Sequence, residues 1–248
     1  MGILFRGKID SFSLRTFINA ISTITDLAEI QITKEGLRVR TIDSNHVAML
    51  DFLLHKKLFE DYSVIKEDSI IVDVFKVKEY LDKIDGMTDI HFSNKLLSLK
   101  TYNIVRTFVL PNKDVEVIKK LPEIKFESKI ILDTVKAGEF ITALEVAEKI
   151  SSYVKISTSN RNAIIEACSD DENDSLMAIV EGVAEGEAVS YYTDYIVDIM
   201  DAMGNIAIMF AQEGELSKNI EIEFGNNKPI RIVCETATFL LAPYLVRD

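Results

Sequence analysis

The chain has 248 residues, of which 48% are hydrophobic and 27% are charged, the composition of a globular protein. No apolar run approaches the roughly 18 residues that would span a membrane, and the N-terminus lacks the apolar core of a signal peptide. The formal net charge of −12 argues against a nonspecific nucleic-acid binder unless basic side chains gather on one face.

The first half of the chain predicts short strands around two helices. Strands are predicted at 3–10, 28–43 (two strands around a turn at Gly36), 46–54, 69–74, 89–92, 96–101 and 104–110. Ser11 or Ser13 can cap the first helix, and Gly86 can terminate the second. The helices are predicted from three- and four-residue apolar spacing at 11–25 and 74–84.

The second half repeats this plan after a charged linker that Pro111 and Pro122 bracket. The apolar spacing of the linker is typical of an extended segment lying on a surface. Strands are then predicted at 129–134, 154–157, 163–168, 176–180, 220–224, 230–234 and 238–241. Helices are predicted at 135–151 and 195–203, whereas residues 204–218 have no clear assignment.

Five short segments recur in the same order in both halves, which indicates a duplicated domain. The matched pairs are 17–21 with 140–144, 30–32 with 154–156, 79–81 with 194–196, 92–94 with 224–226, and 107–111 with 238–243. We therefore predict an α+β fold of two duplicated domains of antiparallel sheet with helices on one face. The domains are predicted at 1–113 and 129–248, with a connecting loop at 114–128. Edge strands at 104–110 and 176–180 would pair between subunits and close a ring head to tail.

Reactive side chains are few. Cys168 and Cys234 each lie in an apolar, strand-like run, which predicts two buried thiols in a reducing compartment. A disulfide remains open only if the two strands are neighbours. His46, His55 and His91 are too scattered for a histidine-based metal site.

An enzyme remains an alternative class because of two acidic features. Asp170 and Asp171 lie in an acidic turn, and Asp43 lies near His46, so either group could suggest a metal or acid–base site. A turn of carboxylates is more often a solvated loop, and the sequence offers no nucleophile beside a partner base. We therefore expect no catalytic residues, no metal and no cofactor.

Four motifs in order resemble the proliferating cell nuclear antigen (PCNA) family of DNA sliding clamps, most of all its archaeal members. They are EGLRVRTIDSNHVAML at 35–50, the linker KKLPEIKFESK at 119–129, FGNNKPIRI at 224–232 and the ending TFLLAPYLVRD at 238–248. The chain departs from the family across 180–220 and at Tyr244, where many members carry Arg or Lys.

The resemblance implies a non-enzymatic ring of three subunits that encircles double-stranded DNA independently of sequence, with helices lining the hole. It implies processivity through tethering of DNA polymerase, flap endonuclease and DNA ligase by short peptide motifs, and loading by replication factor C. It implies a cytoplasmic, nucleoid-associated protein in an archaeon, or a nuclear one in a eukaryote, with no membrane partner. Whether the subunits are copies or paralogues stays open. A clamp-fold interaction protein that does not encircle DNA as a homotrimer is the alternative.

The resemblance also implies three sets of site residues. The partner-peptide groove would comprise Ile42, His46, Val47, Met49, Leu121, Ile124, Pro229, Leu240, Ala242 and Pro243. The DNA-facing residues would be Arg15, Lys76, Lys78, Lys83, Lys136 and Lys149. The subunit interface would comprise Val105, Phe108, Leu110, Leu176, Ala178 and Val180. The last inner helix is acidic, with Asp194, Asp198 and Asp201, which fits a DNA-facing role poorly.

Overall fold

The computed structural model describes residues 2–112, 114–116, 118, 120–171, 173–212 and 219–245. Several expectations fall on residues outside these ranges: the domain limits at 1, 113 and 248, Val117 of the linker, and part of 204–218. The chain divides into two compact units, unit 1 up to Leu121 and unit 2 from Pro122 onward.

Unit 1 consists of two antiparallel sheets and a pair of helices. One sheet has the strand order β5-β1-β7-β8-β9 and the other β6-β2-β3-β4. In chain order its elements are β1 (Ile3–Asp10), α1 (Ser11–Ser22), β2 (Leu27–Ile32), β3 (Gly36–Ile42), β4 (Ala48–His55), a 3-10 turn (Lys56–Leu58), β5 (Phe59–Val64), β6 (Asp68–Asp73), α2 (Val74–Leu81), β7 (Met87–Ser93), β8 (Leu96–Thr101) and β9 (Ile104–Val109).

Unit 2 has the same plan. Its strand orders are β14-β10-β16-β17-β18 and β15-β11-β12-β13. In chain order its elements are β10 (Ser128–Leu132), α3 (Thr134–Ala147), β11 (Tyr153–Ser159), β12 (Asn162–Cys168), β13 (Ser175–Val180), β14 (Ala184–Glu185), β15 (Ala188–Thr193), α4 (Tyr195–Ala211), β16 (Ile220–Phe224), β17 (Ile230–Cys234) and β18 (Ala237–Leu241).

The two units share one packing pattern. Along a strand, every second side chain is buried beneath the pair of helices. In β2, Ala28, Ile30 and Ile32 are buried, and the residues between them are partly exposed. Phe17 of α1 packs edge-on against Phe52 of β4, with ring centroids 5.1 Å apart. Because element order and strand order agree throughout, the structure contains the predicted duplication and the α+β clamp architecture.

In unit 2 the helices approach closely at a glycine. A Cβ added to Gly204 of α4 would lie 3.1 Å from Cδ1 of Ile141, a residue of α3. The side of α4 that faces the rest of unit 2 is thus packed, and its other side is left for solvent. None of the helices in the described ranges is long and apolar enough to cross a membrane.

Several local expectations are wrong. Asp10, not Ser11 or Ser13, caps α1, because its side chain accepts a hydrogen bond of 3.1 Å from the Ser13 N–H. The match of 79–81 with 194–196 is also wrong, since Leu81 ends α2 whereas Tyr195 begins α4. Cys168 is exposed rather than buried, although Cys234 is buried, and the two cysteines form no disulfide with each other.

Candidate functional site

The turn between β3 and β4 is stabilised by one buried carboxylate, that of Asp43. Asp43 accepts hydrogen bonds from the backbone N–H groups of Asn45 at 3.0 Å, and of Val47 and Ala48, both at 2.7 Å. His46 between them has a φ of 59°, a left-handed conformation that costs energy for a side chain of this size. The carboxylate supports this strained turn and presents His46 and Val47 to solvent, with Val47 40% exposed.

The predicted peptide-groove residues of unit 1 gather around this turn. Nε2 of His46 lies 3.0 Å from the carboxylate of Glu116, so the turn contacts the connecting segment. Ile42 is buried, while Met49 and Leu121 are half-buried. Apolar side chains and the polar ring of His46 are therefore adjacent here, and such a combination is typical of sites that bind aromatic groups.

The predicted groove residues of unit 2 belong to the connecting segment, the turn before β17, the strand β18 itself and the tail after it. They are half-buried except Leu240, which is 4% exposed; the half-buried ones are Ile124, Pro229, Ala242 and Pro243. Lys228 fixes the connecting segment by donating to the carbonyl of Lys125 at 2.9 Å and by pairing with Glu127.

Tyr244 anchors the tail. Its ring stacks on Tyr153 with centroids 5.1 Å apart and planes 9° from parallel, and its N–H donates to the Tyr191 carbonyl at 2.7 Å. The sequence singled out Tyr244 as a departure from the family pattern but did not reveal this role. Tyrosines in two neighbouring strands were the available signal, but it depends on a strand, β15, that the sequence did not predict.

The predicted DNA-facing residues of unit 1 differ in how far their charge is compensated. Arg15 donates to the Ile84 carbonyl and to the carboxylate of Asp85, and Lys76 pairs with Asp73 at 2.6 Å. Nζ of Lys78 lies 3.4 Å from the neutral hydroxyl of Ser22. Lys83 is exposed just beyond α2.

The two predicted DNA-facing residues of unit 2 lie on or beside α3. Nζ of Lys136 is 2.9 Å from the carboxylate of Glu139, which raises the pKa of the lysine. Lys149 is exposed beyond the C-terminal end of the helix, next to the exposed carboxylate of Glu148. Acidic neighbours therefore accompany both lysines.

The two predicted subunit-interface strands, β9 and β13, each lie at the end of a sheet. Of the residues predicted there, Val105 is exposed, Leu110, Leu176 and Ala178 are half-buried, and Phe108 and Val180 are buried. Sequence reasoning missed the most exposed apolar side chains, Val109 at 79% and Met177 at 65%. Alternation alone could have found them, because Val109 follows the buried Phe108 and Met177 lies between the half-buried Leu176 and Ala178.

The acidic turn after β12 is organised by Asp171. This carboxylate accepts from the Ser169 hydroxyl at 2.6 Å and from the side-chain and backbone N–H groups of Asn173. The hydrogen bond from Ser169, followed by those from Asn173, lowers the pKa of Asp171 to about 2. Asp43 and Asp171, which were considered as catalytic or metal-binding groups, thus each hold a turn. Among the described residues, no group of three or more His, Cys, Asp and Glu side chains is arranged to bind a metal.

Comparisons with known proteins cover nearly the whole chain. Residues 6–95 match the family model for the N-terminal domain of proliferating cell nuclear antigen. The DNA polymerase sliding clamp of Archaeoglobus fulgidus is 27% identical over 244 residues, which cover 93% of this chain and 94% of that protein.

Solved structures share the fold at similar coverage. The structure of A. fulgidus PCNA bound to the C-terminal region of FEN-1 matches with a TM-score of 0.81 and 24% identity, over 99% of this chain and 100% of that one. The PCNA2–PCNA3 complex of Sulfolobus tokodaii matches with a TM-score of 0.78 and 21% identity, over 96% and 98% of the two chains.

Proposed function

We propose that this chain, which belongs to the PCNA family of sliding clamps, forms a ring that encircles duplex DNA and tethers replication and repair enzymes to it. The observation that carries the proposal is the end-to-end similarity to archaeal sliding clamps, combined with two units of identical topology. A closed ring needs head-to-tail contacts that repeat from one subunit to the next, and a chain of two like units offers a different sheet edge at each end for such contacts. The ring would raise processivity by keeping an enzyme at high effective concentration near DNA.

The ring would close through β9 of one subunit and β13 of the next. Both strands lie at the ends of their sheets and carry exposed apolar side chains, including Ile104, Val109, Met177 and Ile179. An edge of this kind leaves backbone groups for a partner strand. The partner subunits are copies of this chain or paralogues of it, as in the PCNA2–PCNA3 complex.

The proposed DNA contact is loose and independent of base sequence. In the ring, α1 to α4 would face the duplex, and their lysines would attract phosphates without reading bases. Weak contacts of this kind let the ring slide. The proposed ring carries out no chemistry itself.

Client enzymes would bind through short peptides with an apolar residue and an aromatic pair. We propose that the peptide contacts the turn around Val47 and the tail at Ala242 and Pro243. The FEN-1 segment bound to A. fulgidus PCNA supports a flap endonuclease as one client. DNA polymerase, DNA ligase and the loader, replication factor C, are proposed to bind in the same manner. The protein would act where the chromosome is, in the cytoplasm of an archaeon.

Two measurements test the proposed function. Sedimentation equilibrium should give about three times the chain mass of 28.0 kDa, and primer extension by a family polymerase with its loader should yield longer products when the protein is added. A chain that stays at 28.0 kDa alone and with candidate paralogues, and that leaves product length unchanged, contradicts the proposal.

A further inference from the structure

We propose that the two units divide the handling of DNA: the helical face of unit 1 attracts the phosphate backbone, and the helical face of unit 2 repels it. This inference rests on the proposed ring, in which both helical faces meet the duplex. It adds a direction to that contact, because the duplex would lie nearer to unit 1 of each subunit than to unit 2.

The helices of the two units carry opposite charge although they occupy equivalent places in the fold. α1 and α2 contain three basic side chains and one acidic one, a net charge of +2. α3 and α4 contain one basic side chain and four acidic ones, a net charge of −3. The two faces of one subunit therefore differ by five charges.

The solvent side of α4 shows the difference most clearly. Its exposed positions recur at three- and four-residue steps and are occupied by Asp198, Asp201, Asn205 and Ile208. The opposite side is buried, with Met200 and Met203 fully enclosed. Because packing fixes the rotation of the helix, it cannot turn these aspartates away without exposing its apolar side.

The glutamates at the end of α3 add to the negative face. The pKa of Asp201 is raised, first by partial burial and then by the nearby charges of Glu145, Asp198 and Glu148. These carboxylates are thus close enough to repel one another, and they would also repel a phosphate. Lys136 and Lys149 do not offset them fully, because Glu139 already binds the ammonium group of Lys136 and Lys149 directly follows the exposed Glu148.

On unit 1, Arg15 and Lys76 are already paired with carboxylates, so the positive charge that remains available is that of Lys78 and Lys83. Lys78 contacts the hydroxyl of Ser22, a neutral group, so that contact leaves the charge of the lysine in place. Lys83 follows α2 and is exposed. At physiological salt the Debye length is about 8 Å, so only charges this near the duplex matter. Lys78 and Lys83 are therefore the residues expected to provide most of the attraction.

The test compares three double variants of the full chain, each assembled into the ring. Lys78→Ala with Lys83→Ala removes the proposed attraction. Asp198→Asn with Asp201→Asn removes two of the proposed repulsive charges. The control, Asp61→Asn with Glu187→Gln, is matched to the aspartate variant because it also removes two negative charges. Its two positions are exposed and lie in β5 and between β14 and β15.

The measurement is the affinity of each ring for a short fluorescent duplex DNA across a series of NaCl concentrations. The aspartate variant should bind at least about threefold more tightly than wild type at low salt, and the gain should vanish at high salt. The lysine variant should bind more weakly, with a salt dependence flatter by about one to two contacts per subunit. The control should follow wild type.

The outcomes separate this inference from the proposed function. Tighter binding of the aspartate variant alone supports the division between the units. Equal gains for the aspartate variant and the control, or no gain for either while wild type binds DNA, overturn the division and leave the clamp function standing. A wild-type ring that does not bind the duplex at any salt concentration also overturns the division, whereas the clamp function is judged separately, by retention on circular DNA after loading.

Discussion

Unit 1 and unit 2 share the order of their strands and α-helices and the strand order of both sheets, yet the exposed side chains of their helices differ in charge. Their cores use the same alternation of buried residues, which fixes topology because a one-residue slip would turn each strand inside out. The helical faces, by contrast, differ by five charges. The duplicated fold therefore constrains packing and leaves the surface of each unit free to serve a different function.

Two turns at equivalent places in the two units also differ in the carboxylate that stabilises them. The turn between β3 and β4 is supported from inside by buried Asp43, which accepts three backbone N–H groups. The turn between β12 and β13 is supported from outside by exposed Asp171. A buried, fully used carboxylate is costly to remove, whereas an exposed one is cheaply replaced by water. The first turn presents predicted binding residues, and its rigidity fits that role.

The largest expected effect follows from breaking the edge of unit 1. The Leu110 N–H donates to the carbonyl of Lys95, which directly precedes β8. Because backbone N–H groups point alternately to the two sides of a strand, the N–H of Phe108 also points towards β8, whereas that of Thr107 points to the free edge. Proline at Phe108 would thus damage the subunit's own sheet. Thr107→Pro removes an outward N–H and should weaken assembly at least about tenfold, since the loss of one such hydrogen bond costs about 0.5–1.5 kcal/mol.

Sedimentation of the Thr107→Pro protein should show single chains with an unchanged circular dichroism spectrum. Thr107→Ala, which keeps the N–H group, is the control and should still assemble. If the proline variant assembles as wild type does, β9 is not the subunit edge.

The second effect concerns the tail of unit 2. Ala242→Glu with Pro243→Glu places two charges where an aromatic side chain is proposed to bury, and should reduce peptide affinity at least about tenfold from a micromolar starting value. Calorimetric titration with a peptide carrying glutamine and a Phe-Phe pair measures this. Leu245→Glu, which adds a charge at an exposed residue further along the tail, is the control. If wild type, the double variant and Leu245→Glu all bind the peptide equally well, the tail is not part of the peptide site.

The third effect concerns the buried carboxylate of unit 1. Asp43→Ala leaves three N–H groups without their acceptor and should lower the free energy of unfolding by about 2–4 kcal/mol. Asp43→Asn keeps one side-chain oxygen and should lose about half as much. Urea titration gives both values. An alanine variant with the midpoint of wild type would show that the carboxylate does not support the turn.

The smallest effect concerns Asp171 and depends on pH. Its folded pKa of about 2 lies below the usual value of 3.8, so the folded state favours the charged form. The stabilisation is therefore present above about pH 4 and is lost as the pH falls towards 2. The urea midpoint of Asp171→Asn should lie slightly below that of wild type near neutral pH, and the two midpoints should converge near pH 2. A gap that persists in acid would contradict this assignment.

How much the sequence predicted depended on whether the signal was local. Strands β8, β16 and β17 lie within the predicted bounds because each alternates cleanly, and β1 does so although Leu4 and Phe5 are both buried. Strand β5 was missed because half of its residues are exposed and only Phe59 is buried. Helix α4 continues through 204–211, where no helix was predicted, because burial on most of its sides leaves little apolar–polar contrast to reveal the helical period.

The candidate site was likewise predictable from the sequence only where the signal was local. The motif around Asp43 marked the turn, but the three hydrogen bonds to its carboxylate depend on a fold that brings the N–H groups together. The stacking of Tyr244 on Tyr153 joins residues far apart in sequence, so only tertiary structure reveals it.

The most direct test of the clamp itself is retention on DNA of defined topology. The protein is loaded onto a nicked circular plasmid with replication factor C and ATP, and then the circle is cut once. The clamp account predicts stable retention on the circle at high salt and rapid loss after the cut, because a ring slides off a free end. Equal retention on circular and linear DNA, or loss from both at the same rate, would contradict encirclement.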